Sequence, residues 1–173
     1  MRRALFLDRD GVINVDRGYV SANEDFQLLP GILELLRLAQ SRGYLLIVVT
    51  NQSGIARGIF THADYIRLET HMRMSLSAAG INLTGVYHCP HHPNGSVPQF
   101  AITCSCRKPK PGLILRAARE NNLDLAGSIL IGDKQSDLDA ACSAGVGESF
   151  LIDSAAGKSR DIFDAVAAAL LSK

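Results

Sequence analysis

The chain has 173 residues, 47% hydrophobic and 20% charged, with 18 Lys+Arg against 17 Asp+Glu. That length fits one domain, residues 1–173, large enough to bury roughly 70% of its unfolded surface without a staple. A net charge of +1 gives no bulk attraction to nucleic acid or anionic membrane. The apolar content argues against disorder, and no apolar run nears the roughly 20 residues of a bilayer span.

In chain order, Met1-Arg2-Arg3 leads into Ala4–Leu7. This apolar run is too short for a signal-peptide core, so a cytoplasmic location is expected. Ala4–Leu7 reads as a strand buried on both faces. After Pro30-Gly31, the residues Ile32, Leu35, Leu36 and Ala39 recur at helical spacing over Ile32–Ser41, and Gly43 marks the stop. Tyr44–Val49 is the clearest buried strand. Thr61 offers an N-cap for a helix reaching about Ala79 before Gly80. Gly85–His88 reads as a strand, Pro111–Asn121 as a helix, Ser128–Ile131 as a strand and Ser136–Ala144 as a helix ended by Gly145. Phe150–Ile152 and an amphipathic helix over Asp161–Leu171 complete the set. Strands alternating with helices imply right-handed crossovers. The expected fold is α/β, a Rossmann-like parallel sheet with helices on both faces.

Two stretches interrupt the alternation, residues 11–29 and residues 88–109. Loops this long inside a compact domain are more often functional than idle. The second holds Cys89, Cys104 and Cys106 among His88, His91 and His92. In a reducing compartment such clustering points to a metal site, not to disulfides. Spacing alone leaves the choice of histidine open. Cys142, among Ala140, Ala141 and Ala144, reads as a small buried hydrophobe.

Ligands of open parallel sheets bind beyond the carboxyl ends of the strands. There the sequence places Asp8-Arg9-Asp10-Gly11, Thr50-Asn51-Gln52-Ser53-Gly54 and Gly132-Asp133-Lys134. Carboxylates gathered from Asp8, Asp10 and Asp133 would repel unless a cation lay among them. Oxygen ligands suit a hard ion such as Mg²⁺, which also binds substrate phosphate. Two carboxylates two residues apart on extended chain point the same way.

Asp8-Arg9-Asp10-Gly11-Val12, Thr50, Lys108 and Gly132-Asp133-Lys134-Gln135-Ser136-Asp137 resemble, in order and spacing, the four motifs of the haloacid dehalogenase-type phosphatases. Val12 stands where that motif more often has Thr. The segments Thr50–Gly58, Cys89-Pro90-His91-His92-Pro93 and Cys104-Ser105-Cys106-Arg107-Lys108-Pro109 are similar to those of the D-glycero-D-manno-heptose 1,7-bisphosphate phosphatases. Histidinol-phosphate phosphatases are the sister group. The resemblance implies a haloacid dehalogenase-like fold without a separate cap domain, a substrate loop at about 14–27 and a zinc-binding loop at 88–109.

The resemblance also implies roles. Asp8 is the nucleophile that forms an aspartyl-phosphate. Asp10 is the acid and then the base. Thr50 and Lys108 stabilise the phosphoryl group, and Gly11 lets the backbone approach the phosphate. Mg²⁺ is held by Asp8, the backbone carbonyl of Asp10 and Asp133. Asp16, Arg17, Gly18, Tyr19, Asn51, Gln52 and Ser53 contact substrate, with Arg107 on the distal phosphate. Arg57 reads as exposed surface charge. The resemblance selects His91 to join Cys89, Cys104 and Cys106 around a structural Zn²⁺. The expected protein is a cytoplasmic monomer acting on the 7-phosphate of a small sugar bisphosphate, with the motif set of the β-preferring members. Heptose 1-phosphate, the product, then serves nucleotide-activated heptose and lipopolysaccharide synthesis. The alternatives are histidinol-phosphate phosphatase and a zinc-stapled interaction module without catalysis. Residues 88–109 carry only Arg107 and Lys108 as basic residues, which disfavours a nucleic-acid surface.

Overall fold

The computed structural model describes residues 1–152 and 159–172. Among the described residues, five strands form one sheet: β1 (Ala4–Leu7), β2 (Leu45–Asn51), β3 (Leu83–Cys89), β4 (Ile129–Gly132) and β5 (Glu148–Leu151). Their order is β3-β2-β1-β4-β5, and every pairing is parallel. The helices are α1 (Ile32–Ser41), α2 (His62–Ala78), α3 (Gly112–Asn121), α4 (Gln135–Ala144) and α5 (Ser159–Ser172).

Alternation along the strands divides the core in two. Leu5, Leu7, Leu46, Val48, Ile129 and Ile131 pack with Ile32, Leu36, Met72, Val166 and Leu170 from α1, α2 and α5. Phe6, Ile47, Val49 and Leu130 face the other way, onto Leu113, Ile114, Ala140 and Ala141 from α3 and α4. The expected α/β sandwich is therefore present. Thr61 caps α2 reciprocally: its Oγ1 accepts from the Asp64 amide at 3.1 Å, and Asp64 accepts from the Thr61 amide at 2.7 Å.

Some boundaries differ from expectation. β2 continues past Val49 because Thr50 and Asn51 pair with His88 and Cys89, so polar side chains stand within the ladder. β3 correspondingly extends through Cys89. β5 starts two residues earlier than expected, since pairing with Ile129 begins at Glu148. Cys142 is a correction: it is exposed. The buried residues of α4 are Asp137, Ala140 and Ala141, at i, i+3 and i+4, and residue 142 turns off that stripe.

The chain runs outward from β1 through β2 to β3, then returns to the other side of β1 for β4 and β5. The carboxyl ends of β1 and β4 flank this reversal, where ligand crevices form in such sheets.

Candidate active site

Asp8 follows β1 directly, its amide donating to the Ile131 carbonyl at 3.0 Å. Asp133 follows β4, and the loop after β1 comes close to it. Gly11 has φ +80°, and a Cβ there would lie 2.7 Å from Asp133 Oδ2. Glycine is thus required both by the left-handed turn and by the close approach.

Lys108 enters this floor from the long loop after β3. It is 3% exposed, and its Nζ donates to Asp8 Oδ1 at 2.9 Å and to the Val49 carbonyl at 2.8 Å. Asp137 Oδ1 lies 2.5 Å from the same nitrogen. Burial disfavours the charged amine, but Asp8 and then Asp137 outweigh it and hold the Lys108 pKa above the ordinary lysine value. Lys108 is therefore a fixed cation beside Asp8. Asn51 clamps its backbone: Oδ1 accepts from the Lys108 amide and Nδ2 donates to its carbonyl, both at 3.1 Å. Thr50, buried at the end of β2, accepts from Gln52 Nε2 at 3.0 Å.

Carboxylate oxygens of Asp8, Asp133 and Asp137 lie within 4.8 Å of one another. Asp137, not Asp10, thus supplies the third carboxylate of the cluster, because its place in the first turn of α4 aims it at Lys108. Burial, then the Asp8 charge, push the Asp133 pKa up to about 7 against the pull of Lys134. Asp133 Oδ1 is buried with no hydrogen-bond partner among the described residues. An acidic oxygen cluster with an orphaned lone pair fits a hard divalent cation. The Asp10 carboxylate is taken up by Arg9, Asn14 and Gln52.

Above this floor opens a cavity of about 570 Å³, a volume suited to a small ligand. Asp10, Asp16, Gly18, Tyr19, Asn51, Gln52, Ser53, Arg107 and Lys108 line it, so most of the expected contact residues meet there. Arg17 does not line it; its guanidinium donates to Gln27 Oε1 at 2.9 Å. Two further cations do, Arg57 and Lys134. Arg57 is exposed as expected, yet it lies at the cavity wall, 2.9 Å from His92 Nε2. Lys134 reaches Asp133 at 3.2 Å and Asp16 at 3.6 Å, linking the first loop to the floor.

The structure resolves the choice of histidine. His91 Nδ1 lies 3.4 Å from Cys106 Sγ and 3.7 Å from Cys89 Sγ. The sulfur separations are 3.2, 3.2 and 3.6 Å. Disulfide sulfurs would lie about 2.05 Å apart, whereas tetrahedral ligands of Zn²⁺ at about 2.3 Å stand nearly 3.8 Å from each other. The four residues are thus gathered in a cluster that could hold a metal ion. His88 instead faces His62, Nε2 to Nε2 at 3.2 Å. Arg107 Nη1 donates to the His91 carbonyl at 3.3 Å, so the cluster is tied to the cavity wall one residue beyond Cys106.

A HAD-hydrolase-like family model matches residues 105–168. The D-glycero-beta-D-manno-heptose-1,7-bisphosphate 7-phosphatase of Yersinia pestis is 48% identical over 149 residues, 86% of this chain and 79% of that protein. The chain belongs to this family of HAD-like phosphatases. Among solved structures, the D,D-heptose 1,7-bisphosphate phosphatase of B. bronchiseptica, complexed with magnesium and phosphate, is 36% identical with a TM-score of 0.74. It aligns over 84% of this chain and 78% of its own. A HAD-like protein of Mesorhizobium loti aligns over 97% of this chain and 87% of its own, with a TM-score of 0.85 and 34% identity. The fold expected from the motifs is therefore the family's fold.

Besides Lys134, three participants in the geometry carry no role in the sequence reading. Asp137 sits in the quoted Gly132–Asp137 motif, in the first turn of α4, while Asp133 lies in the link between β4 and that helix. Asn14 and Arg9, flanking Asp10 in sequence, become visible only through their burial and contacts.

Proposed function

We propose that the protein is an Mg²⁺-dependent phosphatase that removes the 7-phosphate of D-glycero-D-manno-heptose 1,7-bisphosphate, with preference for the β-anomer. Residues 1–173 act as one catalytic domain, a cytoplasmic monomer whose loops at about 14–27 and 88–109 recognise substrate. Among the described residues no helix is long and apolar enough to cross a membrane. The carrying observation is Asp8 held 2.9 Å from the buried Lys108 ammonium beneath a cavity walled by Arg57, Arg107 and Lys134.

Asp8, Asp133 and the Asp10 backbone carbonyl would hold Mg²⁺, which when bound neutralises phosphoryl charge and orients the phosphate. An Asp8 carboxylate oxygen attacks phosphorus while the bond to the sugar oxygen breaks, and Asp10 gives that oxygen its proton. Asp10 then takes a proton from the water that attacks the aspartyl-phosphate, and phosphate leaves with Asp8 restored. Lys108 and Thr50 hold the phosphoryl oxygens throughout. Asn51, Gln52, Ser53, Asp16, Gly18 and Tyr19 face the sugar, and Arg107 meets the distal phosphate with its planar fork. Arg17 supports the loop through Gln27. Cys89, His91, Cys104 and Cys106 would hold a structural Zn²⁺, since four protein ligands leave no open position.

Turnover on both heptose anomers and on histidinol phosphate tests the reading. The heptose bisphosphate should have the higher kcat/KM; a higher value for histidinol phosphate would overturn the substrate assignment. An interaction module is disfavoured because Arg107 and Lys108 turn into the cavity instead of forming an outer basic surface.

The raised Asp133 pKa gives a pH prediction. Mg²⁺ binding needs the carboxylate, so protons compete as pH falls through about 7. Apparent Mg²⁺ affinity by calorimetry should be about tenfold weaker at pH 6 than at pH 8. An affinity constant across that range would refute the arrangement.

A further inference from the structure

Arg9 is 1% exposed, a cation enclosed by the fold between the two catalytic aspartates. A guanidinium keeps its charge when buried and must be met by acceptors. Its Nε donates to Asp10 Oδ1 at 3.1 Å and its Nη2 to Asp10 Oδ2 at 2.8 Å. The same Nη2 donates to the Val20 carbonyl at 2.8 Å. Val20 lies in the loop whose residues 16, 18 and 19 line the cavity. The Tyr65 ring, on α2, lies 6.0 Å from the guanidinium carbon, so the group is set against a helix as well as a loop.

Two neutral donors complete the hold on Asp10. Asn14 Nδ2 reaches Oδ1 at 3.0 Å, and Gln52 Nε2 reaches Oδ2 at 3.1 Å. Only Arg9 supplies a charged fork, which fixes the plane of a carboxylate as well as its distance. A position needing bulk alone would accept an apolar side chain without the cost of desolvating a charge. Here the charge is directed onto the residue assigned to move the proton.

We propose that Arg9 is a positioning residue of the reaction: its buried fork aims the Asp10 carboxylate and ties that aim to the loop bearing Val20. The inference rests on the phosphatase reading above. Its particular consequence concerns the leaving group. The sugar oxygen must receive the Asp10 proton as its bond to phosphorus breaks, whereas nitrophenolate leaves without one. Loss of the Arg9 fork should therefore slow the first step on a sugar phosphate and spare it on an aryl phosphate.

The experiment uses R9M and R9K in the full chain with Zn²⁺ and Mg²⁺ loaded. Release of heptose 1-phosphate from the bisphosphate, and of nitrophenol from p-nitrophenyl phosphate, is followed in a single turnover with enzyme in excess. R9M should release the sugar product about 100-fold more slowly, the scale of a misplaced general acid. Nitrophenol release should stay within about threefold of wild type, since that step needs no general acid. R9K keeps the charge without the fork, and should show the same divergence at smaller size. Equal slowing on both substrates would reduce Arg9 to a structural role, and no slowing on either would also overturn the proposal. If R9M does not fold, the ratio in R9K decides. A wild-type protein that releases nothing from the bisphosphate overturns the phosphatase reading itself, a result separable from unaltered Arg9 variants of an active enzyme.

Discussion

Asp8→Asn is expected to abolish phosphate release, lowering kcat by about 10⁴-fold or more, the scale of losing a nucleophile. The carboxamide keeps the shape of Asp8 but has no anionic oxygen to attack phosphorus. The fold should survive, because Lys108 retains Asp137 and the Val49 carbonyl as partners. Asp133 also loses a like charge that raises its pKa. Loss of activity and loss of structure are thus separable by circular dichroism and thermal melting on the same sample. Acid quenching during turnover with labelled substrate should trap phosphate on the wild-type chain and none on the variant. Wild-type turnover by Asp8→Asn would falsify the aspartyl-phosphate route and leave direct attack by water as the mechanism.

The places of the candidate residues were legible in the sequence because they sit where short-range signals are strong. Asp8, Thr50 and Asp133 end apolar runs, and parallel strands bring such ends to one edge whatever the rest of the chain does. Cys89, Cys104 and Cys106 stand out by spacing alone. What stayed hidden depends on contacts between distant segments. Nothing near Lys108 in sequence indicates that Asp137 clasps it, for that pair requires the long loop after β3 to fold back over the end of β4. Arg9 lies between two motif residues with nothing in the sequence to mark it, and only its enclosure reveals its hold on Asp10. Cys142 failed in the opposite direction. An alanine-rich neighbourhood implied burial, but the helix exposes that position because the apolar stripe is narrow. Arg57 needed both views, since an exposed arginine can still face a ligand across an open cavity.

Cys104→Ser is expected to weaken turnover through the Cys89–His91–Cys104–Cys106 cluster without disturbing the carboxylate cluster of Asp8 and Asp133. The loop bearing Cys104 holds more than its own ligands. Lys110 Nζ donates to the Cys104 carbonyl at 2.9 Å, and the Gly112 amide to the Ser105 carbonyl at 3.2 Å, so the entry to α3 leans on the metal-binding turn. On its other side, the Val97 amide donates to the Ala56 carbonyl and Ser96 Oγ to the Arg57 carbonyl, both at 2.9 Å. Losing the ion would therefore release two walls of the cavity together, the one with Arg107 and Lys108 and the one with Arg57. With substrate positioning loosened, kcat/KM should fall about 100-fold. Tm should drop by about 2–4 °C for each kcal/mol of stability lost. Mg²⁺ affinity should remain near wild type, because Asp8 and Asp133 directly follow β1 and β4, outside the loop. Elemental analysis, melting and Mg²⁺ titration on the same preparation distinguish these effects. Full activity in a chain that binds no Zn²⁺ would show that the four ligands are dispensable for holding Arg107 and Lys108 over the phosphate.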